Sequence, residues 1–311
     1  MCSLIVKMTR LVVIKTAVES KMKYLEWLIQ LTKTQLPGVP ERFGDLHLLC
    51  IFAVLVVSLL VIILFSDTSD KCFRVIIGAA FLVMLIGECV KQIVYPLSVV
   101  DGQLVFNYSW WSFPFQLCST PIYVLPFLCF LPDCKVRNLA AAYVMTYGFL
   151  GGVAVYISPG SVFCANKFLS YHSMLHHGLQ ILMGAYTMAY YRHRIKARFL
   201  AGGVFVFTLM FTIANLLNTV GYEFLVKKGL LIEGAEFNMF YISPRPDQLP
   251  AIFPELRSYI GATGYIAGYF VVVTIGAILI PALVGSFNKS VDEHMNALYN
   301  ETNSNDLNRY L

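Results

Sequence analysis

The sequence predicts an all-α fold: a polytopic membrane protein, a seven-transmembrane-helix bundle with a semi-buried polar chamber near one face. Three observations predict it. Hydrophobic residues make up 58% of the 311 positions and charged residues 13%, a balance that soluble domains do not carry. Seven apolar stretches are each long enough to cross a hydrocarbon layer about 30 Å thick at about 1.5 Å per residue. Polar residues collect toward the same end of most of these stretches. Because the apolar runs are continuous and do not alternate, a transmembrane β-barrel is excluded.

Residues 1–45 form an N-terminal extension. Leu4–Val6 and Leu11–Ile14 are too short to span, no signal-peptide cleavage pattern follows, and an interfacial amphipathic segment fits. Met22 opens a second helical pattern and is an alternative translation start. The predicted spans are Leu46–Phe65, Val75–Tyr95, Trp111–Leu131, Val136–Ile157, Phe168–Tyr191, Phe199–Tyr222 and Tyr259–Val284. The first is almost pure Leu, Val and Ile, as a lipid-facing helix requires. The third carries Pro114, Pro121 and Pro126, which free backbone carbonyls that lipid cannot satisfy, so this span should be irregular and buried. Gly148, Gly151 and Gly152 in span four, and Gly264 and Gly268 in span seven, read as sites of close helix approach. The long connection Leu225–Arg257 is a candidate lid, and residues 285–311 are a polar tail.

The basic loop 192–198, with Lys71, Arg74, Lys135 and Arg137 at the same end, is expected on the cytoplasmic side by the positive-inside rule. The C-terminus would then be cytoplasmic in a cell-membrane protein, and the polar ends would face outward. The basic residues of 1–45 oppose this orientation. A net charge of +5 follows the loops and implies no nucleic-acid partner. Eight cysteines without a CxxC pair give neither a disulfide framework nor a zinc finger.

The polar ends bring Glu88, Cys118, His172, His176, His177, Asn215, Asn218 and Tyr259 to one face. Polar groups at such depth are costly unless they share a cavity. The segment His172-Ser173-Met174-Leu175-His176-His177 is the sharpest local pattern. Membrane di-iron enzymes use similar boxes, but they need about eight ligands, and this chain has six histidines and no second box. His172, His176 and Glu88 have the ligand chemistry for one zinc, although nothing else in the sequence supports it, and no metal or cofactor is expected. Glu88 and Lys91, three residues apart, also fit a plain intrahelical ion pair, and each histidine fits a hydrogen-bonded interior residue. A cysteine beside a histidine base is the remaining option, because the base draws off the thiol proton. Cys118 with one of these histidines, oriented by Glu88 or Asn215, satisfies it. A transporter using the same chamber is the competing class.

Several segments resemble a known family. Phe113-Pro114-Phe115-Gln116-Leu117-Cys118-Ser119 is similar to a segment of YwaF-type bacterial membrane proteins, which group with the animal transmembrane protein 164 family. His176-His177-Gly178-Leu179, the run Phe237–Pro246, Asn218–Gly221 and Phe43–His47 resemble further segments in the same order. The resemblance covers about residues 36–284 and makes His177 the better-matched histidine. It implies an acyltransferase-like activity on a membrane lipid, with Cys118 as nucleophile and His177 as base; from the residues themselves, His176 or His172 are alternative bases and Glu88 or Asn218 would hold the imidazole or the oxyanion. His172, Gln116, Asn215, Asn218 and Asn238 are then the candidate substrate contacts. Gln116 departs from the family, where a histidine is common, and His176 is an extra histidine.

Overall fold

The computed structural model describes residues 23–246, 248 and 254–307, with backbone alone for 292 and 295–307. Leu4–Val6, Leu11–Ile14 and Met22 lie outside the described residues. The chain is mostly helical. Helix α1 covers 23–33. It is followed by α2 (Asp45–Phe65), α3 (Asp70–Cys89), α4 (Pro121–Phe130), α5 (Lys135–Tyr143), α6 (Phe149–Ile157) and α7 (Lys167–Tyr190). The series ends with α8 (Ala197–Leu216), α9 (Tyr222–Lys227) and α10 (Pro254–Leu307).

Among the described residues, five helical stretches are long and apolar enough to cross a membrane: Asp45–Phe65, Asp70–Val94, Lys135–Ile157, Ala197–Lys227 and Pro254–Val291. The expected count of seven is not met on that measure, for two physical reasons. The predicted third span, Trp111–Leu131, is not one helix. It is a short 3₁₀ turn (Trp110–Ser112), an irregular stretch through Thr120, and a ten-residue helix. Ten residues rise about 15 Å, half of the hydrocarbon layer. The prolines account for this, with Pro121 starting α4 and Pro126 inside it. The predicted fifth span, by contrast, is a 24-residue helix whose polar residues dilute its apolar character.

The chain is also not purely helical. Leu97–Val100 and Gln103–Phe106 pair as an antiparallel hairpin, β1 and β2. Asp101-Gly102 turns it with both residues at positive φ (51° and 72°). That is the two-residue turn whose twist matches paired strands, and Asp-Gly is its usual sequence.

Side-by-side packing of α5 on α8, α6 on α7, α2 on α7 and α3 on α4 forms the bundle. The outward side chains of α2, among them Phe52, Leu55, Leu59 and Ile63, are exposed, as a lipid-facing helix requires. His47, fully buried at its start, accepts from the Phe43 amide through Nδ1 and bonds the Tyr156 carbonyl through Nε2 at 2.9 Å. It is a pin between α2 and α6. The core is aromatic: Tyr147 stacks on Phe207 at 4.1 Å, and Phe240 stacks on Phe207 and Phe115.

The glycine expectation holds in one place and fails in the other. A Cβ on Gly152 would lie 2.7 Å from the His177 carbonyl oxygen, so only glycine lets α6 touch α7 there. Gly268 has nothing within 4 Å, and Gly264 faces only Ile260 of its own helix. Gly264 and Gly268 therefore make no close approach to another element; in α10 that role falls to Gly285, where a Cβ would lie 2.9 Å from the Ile195 carbonyl oxygen. α10 breaks at Gly261 (φ 69°, ψ 174°) and continues as helix to Leu307, inside the polar tail expected at 285–311.

The basic end is stitched by ion pairs. Arg192 pairs with Asp67, Arg137 with Asp70, and Arg194 holds Asp133 with two bonds of 2.8 Å. Arg137 is buried against the Phe73 ring and is not a free loop cation.

Candidate functional site

At the other end of the bundle, three elements meet. α3 brings Glu88, a turn ahead of α4 brings Cys118, and α7 brings His172, His176, His177 and Gln180. α3 continues past Glu88 into a π turn, Val90–Val94. Such turns widen the helix and often sit at functional sites. Here the turn lets Gln92 donate to Glu88 Oε1 at 2.7 Å and to the Ser112 carbonyl at 2.7 Å, and Tyr108 donates to Gln92. Glu88 is thereby tied to the segment that leads to Cys118. Lys91 lies 2.9 Å from the same oxygen, so the intrahelical ion pair exists. The second oxygen, Oε2, is buried, makes no hydrogen bond, and lies 3.6 Å from His172 Nε2.

Helical spacing decides what each histidine of α7 does. His172, His176 and Gln180 follow one another every fourth residue and share a face, whereas His177 points aside. Nε2 of His176 lies 3.0 Å from the backbone carbonyl of Cys118. Gln180 Nε2 donates to that same carbonyl. A carbonyl only accepts, so the hydrogen of His176 sits on Nε2 and its Nδ1 is left as a bare acceptor. That Nδ1 is buried and has no partner. His177 has the opposite arrangement, with Nδ1 bonding the Ser173 carbonyl at 2.6 Å and Nε2 buried and unpartnered. His177 therefore belongs to its own helix.

The close approach of α6 completes the wall. The Cβ direction of Gly151 ends 3.2 Å from Gln180 Oε1 and 3.6 Å from Cys118 Cα. The carbonyl of residue 118 is thus what α7 grips. The thiol forms no hydrogen bond with an imidazole.

Glu88, His172 and His176 are also the one group of metal-capable side chains of this kind among the described residues. A ligand-type atom from each lies within 4.8 Å of the others. Next to His172 opens a cavity of about 790 Å³ between α1, α2 and α7. Its walls are apolar (Cys50, Val54, Val57, Leu175, Leu179 and Leu182), with Lys167 at one end and Gly87 beside His172. Cys118 does not line it.

Other expected site residues lie elsewhere. Asn215 and Tyr259 are exposed, Tyr259 at 85%, so neither lines a chamber. Asn215 lies one position past the fully buried Ala214 and turns away from the core. Tyr259 sits in the short piece of α10 before the break at Gly261.

Gln116, Asn218 and Asn238 are near the site but spend their hydrogen bonds on backbone. Gln116 bonds the Asn238 carbonyl and the Phe240 amide, at 2.9 and 2.8 Å. Asn218 brackets Met239 with bonds of 2.7 and 2.8 Å. Asn238 accepts from the Ser243 amide. Arg245 stacks over Tyr222 and donates to the carbonyls of Asn218 and Phe237. Within the candidate lid, residues 237–245 are thus a strap fastened over the Cys118 turn, holding Phe240 and Tyr241 at positive φ (56° and 57°). Such backbone persists only where its surroundings over-determine it.

Gln180 was not picked out in the sequence, although its place one turn after His176 in an apolar run was the signal available.

Comparison with curated proteins and with solved structures returns no match. A family model described as the TMEM164 family matches residues 42–287, a range that takes in every residue of this site. The chain is a multi-pass membrane protein that belongs to the TMEM164 family.

Proposed function

We propose that this protein transfers or hydrolyses an acyl chain of a membrane lipid, with Cys118 as nucleophile, His176 as base and Glu88 as the group that orients the imidazole. One observation carries the reading. Glu88, His172 and His176 bring side-chain atoms within 4.8 Å of one another, and Nε2 of His176 lies 3.0 Å from the backbone carbonyl of Cys118. A carboxylate, an imidazole and a nucleophilic residue in that order recur in acyl-transfer triads on unrelated folds, and here the imidazole rests on the carbonyl of the nucleophilic residue.

His176 is preferred to His177 on this ground, since no carboxylate pairs with His177. In the resting arrangement Nε2 gives its hydrogen to the carbonyl. Gln180 also holds that carbonyl, so His176 is free to turn its Nε2 to the thiol while Gln180 keeps the turn in place. The tautomer then shifts, with the hydrogen on Nδ1 facing Glu88.

In the forward step Nε2 takes the thiol proton and sulfur bonds to the ester carbon. The ester C–O bond breaks, and the proton passes to the leaving oxygen. The acyl chain is left on Cys118 as a thioester. An acceptor hydroxyl, from water or a second lipid, then gives its proton to His176 and takes the acyl group, which returns the thiol. The apolar cavity between α2 and α7 supports a lipid substrate, because aliphatic side chains of both helices line it and His172 borders it. His172 then contacts substrate or flanks it.

In this reading the bundle crosses the membrane seven times. α7 and the α4 segment make up the count, and the polar end is a semi-buried chamber beneath the outer leaflet. The basic loops favour a cytoplasmic C-terminus in the cell membrane.

The test is acyl transfer from a labelled phospholipid in proteoliposomes. Cys118→Ala and His176→Ala should each lose about 10²–10⁴-fold, the usual contribution of a positioned nucleophile or base, while His177→Ala loses far less. Full activity in Cys118→Ala would sink the reading.

A further inference from the structure

We infer that Glu88, His172 and His176 form a site for a single zinc ion, and that zinc there shuts off the acyl chemistry by occupying the atoms that chemistry needs. Zinc binding itself does not depend on the proposed reaction; only the shut-off rests on it.

The geometry suits the ion. Two ligands each about 2.0–2.1 Å from a tetrahedral zinc are roughly 3.3 Å apart. Glu88 Oε2 and His172 Nε2 are 3.6 Å apart. The third ligand atom lies within 4.8 Å of both, so rotations of buried side chains by about an ångström close the set. Two histidines and one carboxylate with a water in the fourth position is an ordinary zinc environment.

The pattern of hydrogen bonds points the same way. Buried polar atoms are nearly always bonded, and those left over call for an explanation. Glu88 is 5% exposed and His176 4%, and the atoms they leave over are Oε2 and Nδ1. Their other atoms are engaged as the outer partners of metal ligands usually are. His176 gives Nε2–H to a backbone carbonyl, and Glu88 Oε1 is held by Lys91 and Gln92. Such bonds fix the imidazole with its lone pair at Nδ1 and aim one carboxylate oxygen inward.

Among the described residues, Lys91 is the cation paired with the cluster, and it works against a second positive charge. It faces the oxygen that zinc does not need. His172 is the ligand that borders the cavity, so it is the side from which an ion or water reaches the other two.

The experiment is direct zinc binding to purified full-length protein in detergent, read by competition with a fluorescent zinc chelator and by metal content after dialysis. Wild type is expected to hold about one zinc per chain, with magnesium failing to compete. His172→Ala and Glu88→Gln should each weaken binding more than tenfold, while His177→Ala binds as wild type. A thermal-unfolding scan with and without zinc checks that each variant is folded, and only ligand-intact chains should gain stability. Zinc content below a tenth of an equivalent in folded wild type, or unchanged binding in both ligand variants, overturns the site. Because the readout is the metal, an inactive Cys118 leaves this result untouched. Zinc that binds without slowing acyl transfer overturns only the shut-off.

Discussion

Nε2 of His176 meets the backbone carbonyl of Cys118 at 3.0 Å across two elements that are 58 positions apart in sequence. The contact joins the last turn before α4 to the middle of α7, and Gln180 doubles it. The first three predictions below depend on this junction or on what holds it in place; the fourth tests the basic end.

Glu88→Gln keeps the hydrogen-bond partners of Gln92 but loses the charge that would stabilise an imidazolium on His176. The variant is expected to fold with an unchanged unfolding temperature and to label with iodoacetamide at Cys118 at least tenfold more slowly. Site-resolved mass spectrometry of the alkylated peptide measures this. Unchanged labelling removes Glu88 from the relay.

Gly152→Ala pushes a methyl group to 2.7 Å from the His177 carbonyl oxygen. Backbone oxygen cannot yield as a flexible side chain can, so α6 must move off α7. A loss of about 1–3 kcal/mol is expected, the usual cost of overpacking. Gly268→Ala meets nothing within 4 Å and should be neutral or slightly stabilising in its helix. Parallel thermal-unfolding measurements should separate the two, and equal effects would contradict the packing described.

The strap should be separable from the chemistry. Asn218→Ala removes both bonds to Met239 and leaves that buried backbone unsatisfied, at about 1–3 kcal/mol. Protease cleavage within 225–257 should rise sharply in this variant, while Cys118 remains able to label. Protection equal to wild type would mean that the strap is held by other contacts alone.

At the basic end, the two bonds from Arg194 hold the Asp133 carboxyl below its ordinary value. A depressed carboxylate adds stability above its unfolded-state range near pH 4 and loses it as pH falls through the lower folded value. Wild type should therefore lose more stability than Asp133→Asn between about pH 5 and pH 2. Both side chains are about half exposed, so solvent screening keeps the difference under about 1 kcal/mol. Denaturant midpoints at pH 7 and pH 3 give the comparison. A larger acid loss in the variant would contradict the pairing.

How far the sequence revealed the fold follows from what each signal reports. Apolar length marks α2, α3, α8 and α10 because lipid imposes one requirement on every residue of a crossing. It overstates Trp111–Leu131, where proline removes backbone hydrogen bonds without lowering hydrophobicity. The Asp101-Gly102 turn was readable, but in an apolar sequence its flanking strands look like span ends.

For the site, helical spacing already put His172 and His176 on one face. Depth alone grouped Asn215 with Asn218, although one is exposed and the other fully buried. Three residues apart, the two sit about 60° from each other on an ideal helix, and the π turn Leu217–Gly221 begins between them, so span position alone cannot separate them. That Gln116, Asn218 and Asn238 fasten a strap was not legible, because their partners are backbone groups far along the chain.

Intact-mass and peptide mass spectrometry of protein quenched during turnover with phospholipid tests the central claim most directly. An acyl adduct on Cys118, cleaved by neutral hydroxylamine and missing in His176→Ala, is the predicted result. An acyl-transferring wild type that never carries lipid on residue 118 would contradict it.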